Sequence, residues 1–236
     1  MGEYFADLHI HSCLSPCGDD DMTPANIAGM AKVKGLDMIA VCDHNTCRNL
    51  PAVKECCDAY GLVLVPGMEL TTKEEVHLLG YFPDVETALR FSAEVKTHLP
   101  AKKNKPAFFG RQLVMDSDEN ILDEEDALLI GATDLNLACA AELIRSFGGV
   151  PVPAHINRGA NGLLINLGMM PAEPFYTTVE MWRLLPCDPE ALRGRHVLHS
   201  SDAHYLGDIQ EREHALRLEN GTVEELLCWM RTRKAE

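Results

Sequence analysis

Residues 5–12 carry the stretch Phe5-Ala6-Asp7-Leu8-His9-Ile10-His11-Ser12, a strand pattern that ends on two histidines. Because side chains alternate along an extended chain, His9 and His11 lie on the same side of the predicted strand. Two neighbouring imidazoles suit a divalent metal ion. A lone His-x-His pair is only a weak indication, so the prediction depends on what the rest of the chain adds to it.

The chain after this stretch alternates between helix and strand patterns. The Thr-Pro pair at residues 23–24 is typical of a helix start, and a second helix is predicted over residues 50–60. Apolar strand patterns occupy residues 36–41, 62–65 and 76–81. Strands that are apolar on both faces and separated by helices indicate a parallel sheet. We therefore predict an α/β fold, either a barrel or a single wound sheet.

Residues 97–133 interrupt this alternation. They begin with a polar segment that contains Lys102, Lys103 and Lys105, and continue with a predicted hairpin around a turn at residues 116–119. Regular patterns then resume, with later strands predicted at residues 150–154, 178–181 and 197–200 and a last helix that starts at Thr222. We predict one domain over residues 1–236, with residues 97–133 as an insertion.

Side chains that bind metals follow strand after strand along the chain. Besides His9 and His11, they are Asp43, His44, Glu69, His77, His155, Asp202 and His204. In parallel α/β folds, functional groups collect at the carboxyl ends of the strands, so most of these side chains should converge on one rim. Imidazole and carboxylate ligands suit Zn²⁺, Mn²⁺ or Fe²⁺. Each residue alone could be an ordinary polar side chain, but the set predicts a metal centre.

The ordered motifs resemble the PHP (polymerase and histidinol phosphatase) domain family. The similar segments are Asp7-Leu8-His9-Ile10-His11-Ser12, Val41-Cys42-Asp43-His44-Asn45, Pro66-Gly67-Met68-Glu69 followed by His77, Pro153-Ala154-His155, and Ser200-Ser201-Asp202-Ala203-His204. The resemblance spans residues 5–205. It implies a distorted (β/α)7 barrel that holds up to three divalent ions at its carboxyl rim and hydrolyses phosphoester bonds.

The resemblance also implies a ligand set for each ion. The first ion would be held by His9, His11, Glu69 and Asp202. Glu69 would bridge to a second ion held also by His77 and His155, while His44 and His204 would serve a third. A further ligand to the third ion is expected between residues 15 and 24. Alignment on Pro24 selects Asp19, and Cys17, Asp20 and Asp21 remain open alternatives.

Two further residues are candidates for the reaction itself. Asp43 could orient a metal ligand, although capping of a nearby turn is an equally good interpretation. Arg158 follows His155 by three residues, and its guanidinium could grip phosphate oxygens in a fork. The alternative for Arg158 is a solvated side chain on a loop.

The amino-acid composition indicates which partners and which cellular location to expect for the protein. The 21 Lys and Arg residues against 36 Asp and Glu residues give a formal net charge of −15, which disfavours broad capture of nucleic acid. An odd number of cysteines, nine, without a leader pattern, favours reduced thiols. No apolar run reaches the roughly 18 residues that cross a bilayer. We therefore predict a cytoplasmic protein with no membrane partner.

Three functions fit these observations, each using two to three divalent ions. The leading hypothesis is hydrolysis of a small phosphomonoester or nucleotide. The second is a 5′–3′ exonuclease or oligonucleotide phosphodiesterase, for which the lysines of the insertion would contact a longer anionic substrate. The third is a non-catalytic regulatory module that keeps the metal centre without turnover. The sequence gives no prediction of the oligomeric state.

Overall fold

The computed structural model of the chain describes residues 1–234 as a mixed α/β fold. Its first half contains β1 (Gly2–Ile10), α1 (Pro24–Val33), β2 (Met38–Val41), α2 (Leu50–Tyr60), β3 (Val63–Leu64), β4 (Gly67–Thr71), β5 (His77–Tyr81), α3 (Val85–Thr97), α4 (Pro106–Phe109), β6 (Leu113–Met115) and β7 (Ile121–Glu124). The second half contains α5 (Leu137–Ser146), β8 (Val150–Pro153), α6 (Leu163–Leu167), β9 (Thr178–Glu180), α7 (Pro189–Leu192), β10 (His196–Leu198), β11 (Ala215–Leu218) and α8 (Val223–Arg231).

The predicted helices begin where capping chemistry places them. Thr23 accepts a hydrogen bond from the backbone of Asn26 at the start of α1, and Thr222 does the same for Glu225 at the start of α8. Gly61 ends α2 with a φ of 68°, a left-handed conformation that glycine adopts without steric cost. None of the helices in residues 1–234 combines the length and apolar character needed to cross a bilayer.

Five of the strands form the parallel pairings that the sequence predicts. Strand β1 pairs in parallel with β2, β2 with β3, and β9 with β10. Their side chains are largely buried, in agreement with the apolar patterns that helices cover on the outer faces. Single parallel bridges continue from these strands, between Ile10 and Ala203 and between His44 and Glu69.

The prediction of a wholly parallel sheet is wrong for the middle of the chain. Strand β5 runs antiparallel to both β4 and β8, and β11, which the sequence analysis did not predict, runs antiparallel to β1. The short connection at residues 72–76 causes the first reversal, because a tight turn joins antiparallel neighbours and a parallel crossover needs a dozen or more residues. As a result, His77 lies at the amino end of β5, on the same side as the carboxyl end of β4.

Residues 97–133 contain the predicted hairpin, now seen as β6 and β7. Asp116 closes its turn by accepting hydrogen bonds from the backbones of Asp118 and Asn120. The hairpin packs on the loop after β1, where Cys13 contacts Leu113 and Met115 in a small buried cluster. The carbonyls of Leu129 and Gly131 accept hydrogen bonds from Asn45, beside His44. This segment therefore lies against the loops that carry candidate metal ligands.

Candidate metal centre

The carboxylate of Glu69 lies at the middle of the candidate centre and is buried. One oxygen, Oε1, lies 3.4 Å from His9 Nε2, 2.7 Å from His77 Nδ1 and 3.2 Å from His155 Nε2. The other, Oε2, lies 3.4 Å from His11 Nε2 and 3.1 Å from His44 Nδ1. Strand β4 thus places one carboxylate where ligands from four other loops and strands meet.

The first group of ligand atoms consists of His9, His11, Glu69 and Asp202, all buried. Asp202 Oδ1 lies 3.4 Å from His9 Nε2 and 3.2 Å from His11 Nε2, and the two Nε2 atoms are 3.2 Å apart. A tetrahedral ion with bonds of about 2.0–2.1 Å would separate its ligand atoms by about 3.3 Å. The spacing of these side chains therefore fits a metal of the zinc type.

The second group surrounds Glu69 Oε1. His77 Nδ1 and His155 Nε2 lie 3.3 Å apart, and both lie within hydrogen-bonding distance of that oxygen. His44 also joins Glu69 and His77 in a buried group of ligand atoms. Glu69 consequently faces two groups at once, which is the arrangement that a bridging carboxylate requires.

The third group contains His11, Cys17, His44 and His204, whose ligand atoms lie within 4.8 Å of one another. The expected ligand Asp19 does not join it. Its Oδ1 instead accepts a hydrogen bond of 2.9 Å from the backbone of Asp21, and its own backbone N–H donates to His204 O. The tight turn over residues 12–18 instead brings Cys17, one of the alternatives that the sequence leaves open, into this group.

Hydrogen bonds fix which nitrogen of several histidines faces the centre. His9 Nδ1 lies 3.0 Å from Glu180 Oε2, His11 Nδ1 lies 2.9 Å from Ser15 Oγ, and His204 Nδ1 lies 2.8 Å from the Asp202 carbonyl. In the neutral form of each ring, the Nδ1 proton is thereby held outward, so that Nε2 is the nitrogen directed at the centre and able to bind a cation.

Glu180 was not recognised from the sequence as a functional residue. It ends β9, is buried, and accepts hydrogen bonds from His9 Nδ1 and from the His155 backbone N–H at 2.9 Å. It therefore positions ligands of two groups. The signal available in the sequence was a single acidic residue at the end of an apolar strand pattern.

Asp43 acts through a serine rather than by touching the centre. Its carboxylate accepts hydrogen bonds from Ser12 and, at 2.7 Å, from Ser15 Oγ, which in turn contacts His11. Both interpretations of Asp43 therefore describe its contacts, because it caps the turn and supports a candidate ligand. Asp7 plays a similar part by accepting hydrogen bonds from Ser201, next to Asp202.

The buried carboxylates of the centre raise the pKa of neighbouring histidines, as expected where a bound cation would be stabilised. Burial lowers the pKa of His9, but Glu180, Glu69 and Asp202 outweigh it and hold that pKa well above the usual value. Burial also lowers the pKa of His11, but nearby Asp202 and Glu69 outweigh it and raise that pKa to about 9. Burial lowers the pKa of His204 to about 3 with help from charged His11. Without metal, protons on some of these histidines must balance the carboxylates.

Within residues 1–234, three buried atoms of the centre make no hydrogen bond, namely His44 Nδ1, Glu69 Oε2 and His155 Nδ1. His44 Nδ1 and Glu69 Oε2 lie 3.1 Å apart but are not aligned as a hydrogen bond. An unsatisfied buried polar atom costs about 1–3 kcal/mol, and a bound cation would satisfy both atoms. Together with the ligand spacing, this indicates that the residues present fit divalent ions.

Backbone strain is concentrated at the same rim. His155 has a φ of 27° and Asp202 a φ of 51°, and Asn45, next to His44, has a φ of 53°. Residues other than glycine adopt such conformations at a cost of about 1–3 kcal/mol each, and they cluster at functional sites. In each case the left-handed residue turns the chain sharply just beyond a strand or bridge.

Two cavities open onto the centre. The smaller, about 210 Å³, is lined by His44, Glu69, His77, His155 and Ile130 of residues 97–133. The larger, about 710 Å³, is lined by side chains from separate parts of the chain. They are the basic Lys34, Arg158 and Arg183, the aromatic Trp182 and Tyr205, and the acidic Asp202, Asp208 and Glu211. Cys17, Arg158, Asp202 and His204 line both cavities, so the two are continuous at the third group.

Arg158 lies where the cavities join. Its guanidinium pairs with Asp202 and stacks 4.7 Å from the centre of the Trp182 ring. The side chain is held by these two contacts while remaining 40% exposed. The stack and the ion pair hold the positive charge beside candidate metal ligands.

The chain belongs to the PHP domain family: residues 7–136, more than half of its length, match the model of that family. The predicted family is thus confirmed. The folded site has the histidine and carboxylate groups that the enzyme class predicted from the sequence, a metal-dependent hydrolase of phosphoric esters, would need.

Two of the proteins to which the chain is similar are named as nucleases. A 5′-3′ exoribonuclease of Haemophilus influenzae is 26% identical over 128 residues, which cover 53% of this chain and 45% of that protein. A lesion-specific endonuclease from Pyrococcus furiosus is similar in structure, with a TM-score of 0.71 and 19% identity over 97% of this chain and 56% of that one. The chain therefore matches only about half the length of either protein.

A third similar protein has nearly the same extent as this chain. It is a candidate metal-dependent phosphoesterase from Bifidobacterium adolescentis, with a TM-score of 0.60 and 21% identity. The similarity covers 94% of this chain and 95% of that one. At these identities the structural similarities show a shared fold.

Proposed function

We propose that the protein hydrolyses phosphoester bonds in nucleotides or short single-stranded oligonucleotides at a centre of two to three divalent ions. The larger cavity carries this proposal. It begins at candidate metal ligands and continues past Arg183, an exposed cation that lines the same space. Tyr205, 58% exposed, and Trp182 line the same space as potential stacking surfaces for bases.

We further propose that residues 1–236 form one catalytic domain built on a distorted seven-stranded barrel, with residues 97–133 inserted. The strands can be followed in a ring through β1, β2, β4, β5, β8, β9 and β10. The bridges Ile10–Ala203 and His44–Glu69 supply two links that the regular sheets lack, and the Ile156 N–H bond to Glu180 O joins the ends of β8 and β9.

In the proposed centre, His9, His11, Glu69 and Asp202 hold one ion. Glu69, His77 and His155 hold a second, and His44 and His204 contribute to a third. Ions at these positions would lower the pKa of a water molecule and neutralise phosphate oxygens. The protein's own part is to fix the ligands, through Glu180 and through Asp43 acting on Ser15, and to present charge to the phosphate.

Arg158 supplies that charge in the proposed mechanism. Its guanidinium lies at the junction of the two cavities, where a phosphate next to the ions would arrive. Stacking on Trp182 fixes the plane of the guanidinium, so less conformational entropy is lost when it binds phosphate oxygens. Asp202 holds the same group and thereby couples substrate binding to a metal ligand.

The test is a substrate panel with metal-loaded protein. Short RNA and DNA oligonucleotides, nucleoside monophosphates and sugar phosphates are compared by product chromatography and by release of inorganic phosphate. We expect nucleotides to be released from oligonucleotides, or phosphate from nucleotides, with much higher kcat/KM than from sugar phosphates. A Glu69→Gln variant, which alters the central carboxylate, is expected to lose this activity. Absence of hydrolysis of every substrate with metals bound would reject the proposal.

A second candidate is hydrolysis of a small phosphomonoester that is not a nucleotide. The net charge of −15 and the small 210 Å³ cavity beside His77 and His155 favour it, because a small anion would need no extended binding surface. Faster release of phosphate from sugar phosphates than from any nucleotide would select this candidate.

A further inference from the structure

Cys17 is the one cysteine of residues 1–234 whose sulfur joins a group of candidate metal ligands. Its neighbours in that group are the imidazoles of His11, His44 and His204. The ring of His11 stacks on that of His204 with centroids 4.3 Å apart and lies 4.6 Å from that of His44. The sulfur therefore belongs to a compact set of nitrogen donors.

The loop that carries Cys17 is tied on both sides. Ser15 N–H donates to Ser12 O, Gly18 N–H donates to Ser15 O, and Asp19 N–H donates to His204 O at 2.9 Å. A Cβ atom at residue 18 would lie 2.5 Å from the Ser12 carbonyl oxygen, so this turn needs glycine. The turn thus holds Cys17 next to His204, which would bind the same third ion.

The third group also contains an unsatisfied donor. His44 is 3% exposed. Within residues 1–234 its Nδ1 makes no hydrogen bond, although it lies 3.1 Å from Glu69 Oε2. Both ring nitrogens of His11 have neighbours, since Nδ1 contacts Ser15 Oγ and Nε2 faces Asp202 and Glu69 of the first group. His11 is therefore shared with the first group, and Cys17, His44 and His204 are the donors left for a third ion.

We propose that Cys17 binds the third divalent ion as a thiolate, together with His44 and His204. The thiol proton passes to solvent and a sulfur lone pair forms the metal bond. A thiolate is a soft ligand, so this position selects Zn²⁺ or Fe²⁺ over Mn²⁺ and Mg²⁺. Three protein donors leave a coordination position open toward the larger cavity, which Cys17 and His204 line. The inference rests on the proposed metal-dependent function, but concerns only the donor atoms.

X-ray absorption of the zinc-loaded protein tests the assignment directly. We expect a sulfur neighbour of zinc at about 2.3 Å, and in Cys17→Ser the loss of this sulfur together with one equivalent of bound zinc. Cys13→Ala is the matched control, because Cys13 lies on the same loop but turns to Met115, with its sulfur 3.4 Å from that of Met115. Asp19→Asn should keep both the sulfur signal and the metal content.

Cobalt substitution gives a second measurement on the unmodified chain. A thiolate-to-cobalt charge-transfer band is expected in the wild type and not in Cys17→Asp. This variant should still bind three equivalents of metal, but the metal preference of the third site should shift from zinc toward manganese. A fully loaded wild type without sulfur bonding overturns the proposal, as does a sulfur signal that survives in both Cys17 variants. Sulfur bonding without any phosphoester hydrolysis would instead reject the proposed function and leave the thiolate assignment standing.

Discussion

At the scale of single residues, the centre depends on hydrogen bonds that decide which nitrogen of each histidine is available. Glu180 holds His9 through Nδ1, and Ser15 does the same for His11. Such outer contacts orient a ligand and raise its basicity. The short sequence motifs name the ligands but not these supports, because Glu180 lies 171 residues from His9.

Glu180→Gln should weaken metal binding by about 10–100-fold. The amide keeps the size of the side chain but removes the negative charge that fixes the Nδ1 proton of His9. The measurement is a competitive zinc titration monitored with a chromophoric chelator. Glu190→Gln, an exposed glutamate on α7, is the control and should bind zinc like the wild type. Unchanged affinity in Glu180→Gln would contradict the positioning role.

Tyr205→Ala should lower kcat/KM for short oligonucleotides by about 5–150-fold, corresponding to a stacking contribution of about 1–3 kcal/mol per base. Release of phosphate from a sugar phosphate should not change, because that substrate offers no base. Tyr60→Ala is the matched control, since Tyr60 is also partly exposed, at 44%, but lies on α2 and does not line the larger cavity. Equal losses for both substrates would argue against stacking.

At the scale of elements, a buried carboxylate adds to the contacts that fasten residues 97–133 to the domain. Glu125 accepts hydrogen bonds from Lys96 at the end of α3. It also forms an ion pair with Arg48, in which Oε2 lies 3.0 Å from Arg48 Nη1. Gly110 approaches Pro16 so closely that a Cβ atom there would lie 2.1 Å from the Pro16 carbonyl oxygen. The segment therefore supports the loop that presents Cys17.

Glu125→Gln should lower the free energy of unfolding by about 1–3 kcal/mol, because charged partners lose a buried acceptor. Burial raises the pKa of Glu125, but hydrogen bonds from Lys96 and Ala127 outweigh it and hold the pKa below 4.5. A depressed folded-state pKa means that this stability is present above about pH 4.5 and disappears as the pH falls through the folded pKa. The difference between wild type and variant should therefore vanish in acid.

Urea denaturation at neutral and acidic pH measures both effects. Glu124→Gln is the control, because Glu124 is more exposed and pairs only with Arg111 at 3.2 Å. A variant as stable as the wild type at neutral pH would show that Glu125 does not fasten the segment.

At the scale of the whole molecule, the metal centre links strands that the regular sheets leave separate. Its candidate ligands come from β1, β4, β5 and the loops after β2, β8 and β10. Ions bound by all of these would hold the rim together, whereas the metal-free protein must keep buried carboxylates beside protonated histidines. Metal binding and folding should therefore be coupled.

Removal of the metals with a chelator should lower Tm by about 5–15 °C, as expected if the ions contribute about 3–4 kcal/mol. Differential scanning calorimetry of the metal-free protein, followed by readdition of zinc, measures the change and its reversal. An unchanged Tm after verified metal loss would contradict the coupling.

The family could be predicted from the order of the motifs. The helices, the parallel strands and the candidate ligands could be predicted because they depend on local spacing. His9 and His11 share a side through strand alternation, and His44 and Asp202 follow predicted strands. The reversal of β5 and the contact of Glu180 with His9 emerge only in the folded chain. The same is true of the approach of Cys17, rather than Asp19, to His204. The tertiary structure also brings Lys34, Arg158 and Arg183 to one cavity. The physical reason is that each of these outcomes depends on contacts between residues distant in the chain, and one turn of the backbone changes which side chain reaches the centre.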